Sequence, residues 1–242
     1  DKWSRLPKEF IEAVGMVQHC VSTDESKFVL TCVHVTPEYV EACDNFQMMR
    51  CKSPLDLKQS VMVRGASLKD ITGLAMNEVA ITKSWLHFRN AAGLVFSCRR
   101  YTDEYPDLAV MLKKGSEHAI VIPKGMAKAS ERAAVFAVDA TGESQVQVTL
   151  ADGKIRIRGE GASGWYKEVT KVAYDGPPMS FFISPVLLKQ VSENHSDAAI
   201  SENKLAISGG QWRYVTCLSS TKRNTEEPEE GTSKKKKAKD NE

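Results

Sequence analysis

The chain has 242 residues, 42% of them hydrophobic, with a formal net charge of +2. That length and apolar content suit two domains of a little over a hundred residues each. The near-neutral balance excludes a generally basic nucleic-acid binder, so any phosphate contact must come from local placement of Lys and Arg.

Cys20, Cys32, Cys43, Cys51, Cys98 and Cys217 lack the density of a secreted disulfide scaffold and point to reduced thiols in the cytosol. No apolar run is long enough to span a bilayer, so no membrane contact is expected. Because the first residue is Asp1, the chain is expected to be a processed product or a piece of a longer reading frame.

In chain order, Trp3 lies in a short entry strand where it can cover an edge. From Leu6-Pro7-Lys8 a helix is predicted to about Cys20, with Phe10, Val14, Val17 and Val21 on one side and Lys8, Glu12 and His19 on the other. Phe28, Leu30, Cys32 and His34 alternate as a strand, Thr36-Pro37 turns, and Tyr39 opens the return. Asp44-Asn45 marks a tight corner expected to present Phe46 and Met48. Val61, Met62 and Val63 form the next strand, and Ser67 with Asp70 predicts a capping box for a second helix. Strands follow at 78–81, 85–89 and 94–98. Tyr105-Pro106-Asp107 then leads a loop to Leu112, and 113–116 is the expected interdomain linker.

Pro123-Lys124 opens a helical run to Ala140. Met126, Ala129, Ala133, Phe136 and Ala137 share one side, while Lys124, Lys128 and Arg132 stack at i, i+4, i+8 on the other. Read alone, that stripe is equally a solvated surface. Val146, Val148 and Leu150 alternate up to Asp152-Gly153, and Ile155 and Ile157 alternate away, which predicts a tight hairpin. Residues 159–164 are expected to be a flexible bend and 166–174 a long strand. Ser184-Pro185 is a capped helix start, and strands are placed at 199–201, 205–208 and 211–218. Residues 221–242, acidic at 226–230 and basic at 234–237, predict a disordered charged tail.

The two halves repeat. Leu6-Pro7-Lys8 matches Ile122-Pro123-Lys124, the strand at Val61 matches that at Met179, and Trp85-Leu86-His87-Phe88 matches Lys204-Leu205-Ala206-Ile207, all at a shift of about 116 to 119 residues. The fold class is therefore α+β, as two copies of one domain, 1–116 and 117–220. The five histidines suggest no catalytic constellation, and Cys32, His34, Cys43 and Cys51 lack the paired spacing of a zinc site. No enzyme, cofactor or metal is expected. With antiparallel sheets outside and two helices per domain inside, Lys8, Lys69, Lys124, Lys128, Arg132 and Lys189 would face one concave surface suited to a phosphate backbone.

At residues 3–218 the chain resembles the bacterial sliding-clamp family, the beta subunit of DNA polymerase III. The helix and hairpin from Lys128 to Ile157, the Asp44 corner and Tyr105-Pro106-Asp107 carry the resemblance. The family implies three such domains closed head to tail as a dimer around duplex DNA, and this chain resembles the second and third. A ring with itself is implied, a dimer if a further domain exists and a trimer if the chain is complete. The resemblance also implies a cytoplasmic, nucleoid-associated processivity factor that binds double-stranded DNA without sequence preference. Its polymerase and clamp loader would dock through short linear peptides.

The matching pocket positions are Lys27, Leu30, Cys43, Asn45, Phe46, Gln47, Met48, Pro106, Val110, Met111, Tyr214, Val215, Thr216, Cys217 and Leu218. The family's Thr-Asp-Gly-His-Arg-Leu corner is here Cys43-Asp44-Asn45-Phe46-Gln47-Met48, and its Met-Pro-Met-Arg-Leu ending is replaced by Thr216-Cys217-Leu218 and a polar tail. An apolar pocket is expected, with its peptide preference left open. The alternative function is a clamp-derived adaptor that binds peptides without encircling DNA.

Overall fold

A computed structural model describes residues 2–53, 55, 57–138 and 144–221. The first half runs β1 (Ser4–Arg5), α1 (Lys8–Val17), β2 (Cys32–Val35), β3 (Tyr39–Cys43), β4 (Gln47–Lys52), β5 (Val61–Arg64), α2 (Gly65–Leu68), β6 (Glu78–Ile81), β7 (Trp85–Arg89), β8 (Val95–Tyr101) and α3 (Ala109–Leu112). The second runs β9 (His118–Val121), α4 (Met126–Ala137), β10 (Val146–Ala151), β11 (Lys154–Gly161), β12 (Gly164–Lys171), β13 (Ala173–Tyr174), β14 (Met179–Ile183), α5 (Pro185–Asn194), β15 (Asp197–Ile200), β16 (Lys204–Ser208) and β17 (Trp212–Cys217). Apart from α3 in the first half and β13 in the second, the order repeats: α1 and α2 correspond to α4 and α5, β2 to β5 correspond to β10, β11, β12 and β14, and β6 to β8 correspond to β15 to β17.

Each half is two antiparallel ladders with helices against them. The first half has β4-β3-β2-β5 and β8-β7-β6-β1; the second has β12-β11-β10-β14 and β17-β16-β15-β9, with β13 added beyond β9. Across the middle of the molecule β4 pairs antiparallel with β17, placing Met48 opposite Val215 and Tyr214 opposite Met49. One sheet therefore continues from the first half into the second.

Period sets the core. Helix spacing brings Phe10, Ala13, Val14 and Val17 of α1, and Met126, Ala129, Ala133 and Ala137 of α4, onto buried faces. Strand alternation does the same for Val146, Val148 and Leu150. The small residues of α4 let its backbone lie against β11. A Cβ on Gly159 would stand 1.9 Å from the Ala133 carbonyl oxygen, and one on Gly161 2.6 Å from that of Phe136. Of the glycines predicted as a flexible bend, Gly159 and Gly161 are thus strand residues required by close packing, and the turn is confined to residues 162–163. At Asp152-Gly153 the hairpin forms as expected, with φ of 54° and 65°.

Other expectations are corrected. Phe28 and Leu30 lie in a 3-10 segment, Glu25–Thr31, capped by Asp24, and the strand begins only at Cys32. The α2 helix starts at Gly65 with Arg64 as its N-cap and no side-chain cap, so Ser67 and Asp70 form no capping box. Ser184 is the N-cap of α5 without a side-chain bond, and Pro185 supplies the start. The long strand predicted at 166–174 breaks after Lys171, where the chain crosses from β11 to pair as β13 with β9. The end predicted for the fourth helix, and nearly all of the predicted tail, fall outside the described residues.

A charged row inside the first sheet was not predicted. Glu41 is buried, with one oxygen 2.7 Å from His34 Nδ1 and the other 2.7 Å from the Arg50 guanidinium. The three are neighbours in register across β2, β3 and β4. A slip of one residue would leave a buried carboxylate unpaired, so the row pins the register that delivers β4 to the seam.

Candidate functional site

The corner between β3 and β4 is built around Asp44. Its Oδ1 accepts from the amides of Phe46 (2.6 Å) and Gln47 (2.8 Å), and its Oδ2 accepts from Gln47 Nε2 (3.1 Å). Lys27 Nζ donates to Asn45 Oδ1 at 2.9 Å. The Phe46 carbonyl in turn accepts from the Cys217 amide (2.8 Å) and Thr216 Oγ1 (3.1 Å), which fastens the corner to β17. Gln47 is buried but satisfied: its amide nitrogen also donates to the His19 carbonyl at 3.1 Å, and its Oε1 accepts from Tyr214 at 2.9 Å.

Of the residues predicted for a peptide pocket, the outer face of the seam gathers Leu30, Cys43, Met48, Met111 and Val215 into one apolar cluster, joined by Leu108, Ala206, Tyr105 and Leu112. Met48 is covered there and is not presented by the corner as expected. Tyr214 and Leu218 belong to the main core on the opposite face. Consecutive residues of a strand cannot share a face, which is why the four predicted residues of β17, with Leu218 just beyond it, do not line one pocket. Pro106 and Val110 are exposed.

An open groove of about 300 Å³ adjoins this cluster, lined by Asp44, Phe46, Phe182, Val186, Leu187 and Cys217 among others. Phe46 and Cys217 were predicted for it; Phe182, Val186 and Leu187 were not. The signal for Val186 was available, because it is an exposed apolar residue out of phase with the buried Leu188 and Val191 of α5. On the helix side of the seam, a second cavity of about 370 Å³ separates α1 from α5, lined by Met16, His19, Met49, Val191, His195 and Tyr214 among others. Burial pushes both imidazoles below their ordinary value, and at His19 the hydrogen bond to the Met16 backbone and, less, the Asp44 carboxylate partly offset this.

The six cations predicted to face DNA lie on or beside the helices, but not as free charges throughout. Lys8 pairs with Glu12 at 3.3 Å, and Lys189 with Glu131 at 2.6 Å and Glu193 at 3.8 Å. Arg132 turns to β12, where it meets Glu168 at 2.6 Å and Tyr166 Oη at 2.7 Å. The Lys189 bond holds the Glu131 carboxyl below the usual range. Lys69, Lys124 and Lys128 are exposed. Among the described residues no three His, Cys, Asp or Glu side chains lie together as a metal site, and no helix is long and apolar enough to cross a membrane.

A duplicated module with sheets on one side, helix pairs on the other and strand-to-strand joining between modules is the fold of the sliding clamps. Solved structures make the likeness specific. The beta subunit of DNA polymerase from Streptococcus pyogenes superimposes with a TM-score of 0.76 at 17% identity, covering 91% of this chain and 66% of that one. DNA polymerase III subunit beta from Borrelia burgdorferi, solved with a natural product, gives 0.76 at 16% identity over 90% of this chain and 64% of that one. The subunit from Pseudomonas aeruginosa gives 0.75 at 12% identity over 90% and 66%. The chain thus spans about two thirds of the length of these structures. Neither a protein-family model nor a curated protein matches the sequence.

Proposed function

We propose that the chain is part of a DNA sliding clamp, a processivity factor that closes into a ring, holds duplex DNA without reading its sequence and tethers a polymerase through short peptides docked beside Phe46. The seam is the observation that carries this reading. β4 of one half pairs with β17 of the other, and the strands that repeat them are β12 and β8. β12 is the end strand of its ladder, and residues 95–99 of β8 pair with β7 alone among the described residues. A further module laying β8 against β12 would continue the same sheet around an arc. The ring is a dimer if each chain carries a third module and a trimer if it carries two. Its place is the cytoplasm, at the nucleoid.

Topology gives the test. The chain assembled on a nicked circular duplex is expected to stay with the circle through a sizing column and to leave once the circle is linearised. Equal release from circle and line overturns encirclement. The helix face favours a second reading, a clamp-derived adaptor that binds peptides only. The six cations are matched there by five carboxylates, Glu9, Glu12, Asp70, Glu131 and Glu193, so little net charge is left for phosphates. Peptide binding together with equal release is the outcome that reading requires.

A further inference from the structure

The turn α3 and the segment behind it are tied down at both ends. On the leading side Tyr105 stacks on His34 with ring centroids 4.7 Å apart, and its hydroxyl accepts from the Cys43 amide at 3.0 Å while facing Cys43 Sγ at 3.5 Å. On the trailing side the Lys204 ammonium donates to the carbonyl of Lys113 at 2.5 Å and that of Met111 at 3.4 Å, and pairs with Glu117 at 3.1 Å. Arg213 reaches the same carboxylate at 2.7 Å. Three partners occupy the three donors of one ammonium. The side chains of Lys204, Arg213 and Glu117 are 12%, 14% and 8% exposed, so water competes weakly for these bonds.

Between the ties, Leu108, Met111 and Leu112 lie over Cys43, Met48, Ala206 and Val215. The helix has four residues, none of them buried. A single turn of that length does not hold itself in water, so its position is set by Leu108 and by the ties.

We infer that α3 is a strap latched by Lys204, and that the latch controls access to the apolar surface of Cys43, Met48 and Val215 beside the Phe46 groove. The inference rests on the peptide-site reading above, and it makes that site two compartments, one open and one closed. The floor of the closed one is built from the apolar side chains of Cys43, Met48, Ala206 and Val215. It takes a bare apolar side chain of a partner segment whose neighbouring residue already sits in the groove. Lys204 touches no partner; it is a positioning residue, and its effect is on how often the strap lifts.

Cys43 is a built-in reporter. Its thiol lies under the strap, and burial pushes its pKa up, so it should react slowly with N-ethylmaleimide while the strap is closed. Lys204→Met removes the ammonium and leaves Glu117 paired with Arg213. In the full chain, with alkylation mapped by mass spectrometry, this variant is expected to label Cys43 about tenfold faster, with Cys20, Cys51 and Cys98 unchanged. Lys204→Arg is expected to restore the slow rate. An unchanged Cys43 rate overturns the inference, and so does acceleration of all four thiols together, which would mean the strap has no opening of its own. In parallel, heptapeptides are selected by panning a random library on the unaltered chain and tested against Phe46→Ala. If Cys43 opens as expected but the selected peptides ignore Phe46→Ala, the peptide-site reading fails and the strap stands. If Cys43 stays closed, the strap fails whatever the peptides do.

Discussion

The seam between β4 and β17 and the pair of edges formed by β12 and β8 are the same strands of the repeat, once joined and once open. In the joined copy Gln47, Met48, Met49 and Cys51 are buried, as are Tyr214, Val215 and Thr216. In the open copy every second residue of β12 is exposed, Trp165 by 62%, and Val95 on β8 is exposed by 49%. The two states differ by what a partner strand contributes: backbone hydrogen bonds along one edge and cover for the side chains on both faces. An apolar, unpaired edge strand is otherwise a liability. On this molecule β12 and residues 95–99 of β8 are edges that each expose apolar side chains, Trp165 and Val169 on one and Val95 on the other.

The comparison breaks most sharply at its closed end. Val215→Asp places an unpaired charge in the middle of the seam, with a cost of about 3–5 kcal/mol. Chemical denaturation is expected to show it, and a small shift would mean that the seam is open in solution. At the open end, Trp165→Glu with Val169→Glu is expected to weaken self-association at least about tenfold, because exposed aromatics carry much of an interface. Stability should move by only about 0.5 kcal/mol, as for other surface changes. Sedimentation velocity reads the first and thermal melting the second.

A subtler effect comes from His19 and His195 behind the seam. Their folded pKa values are depressed, so the unfolded chain takes up the proton first. Stability should be full above the ordinary histidine value of about 6.5 and fall as pH drops through it toward the folded values. The double variant His19→Gln, His195→Gln is expected to flatten that part of the stability curve. If the wild-type curve is already flat between pH 7 and 5, neither ring is held neutral.

Smallest is the effect expected of the helix cations if the chain holds DNA as proposed. Lys124→Ala with Lys128→Ala should lower the salt slope of retention by about 2. Arg132→Ala, already engaged with Glu168, should change it much less.

What the sequence displayed was periodic and local. The helix carrying Ala129 and Ala133, the Asp152-Gly153 hairpin and the repeat of whole elements were legible, because spacing alone encodes them. The partners of β4 and β17 were not, since pairing across 167 residues, as between Tyr214 and Gln47, leaves no mark in either strand. The same blindness hid Phe182 and Leu187 beside Phe46, and the bond from Lys204 to the carbonyls behind α3. Glycine misled for a related reason. At Gly159 the cause of its presence is the backbone of another element, which no window of neighbouring residues contains.

The bonds that join β4 to β17 run from amide to carbonyl, groups that every residue except proline supplies in full. Such a joint makes few demands on side-chain identity, so very different sequences can form it. Identities of 12% and 17% alongside a shared architecture are what that licence permits. The positions where the fold is strict are correspondingly few: a proline barred from the middle of either strand, and any side chain barred from residue 159, where the helix leaves no room for one.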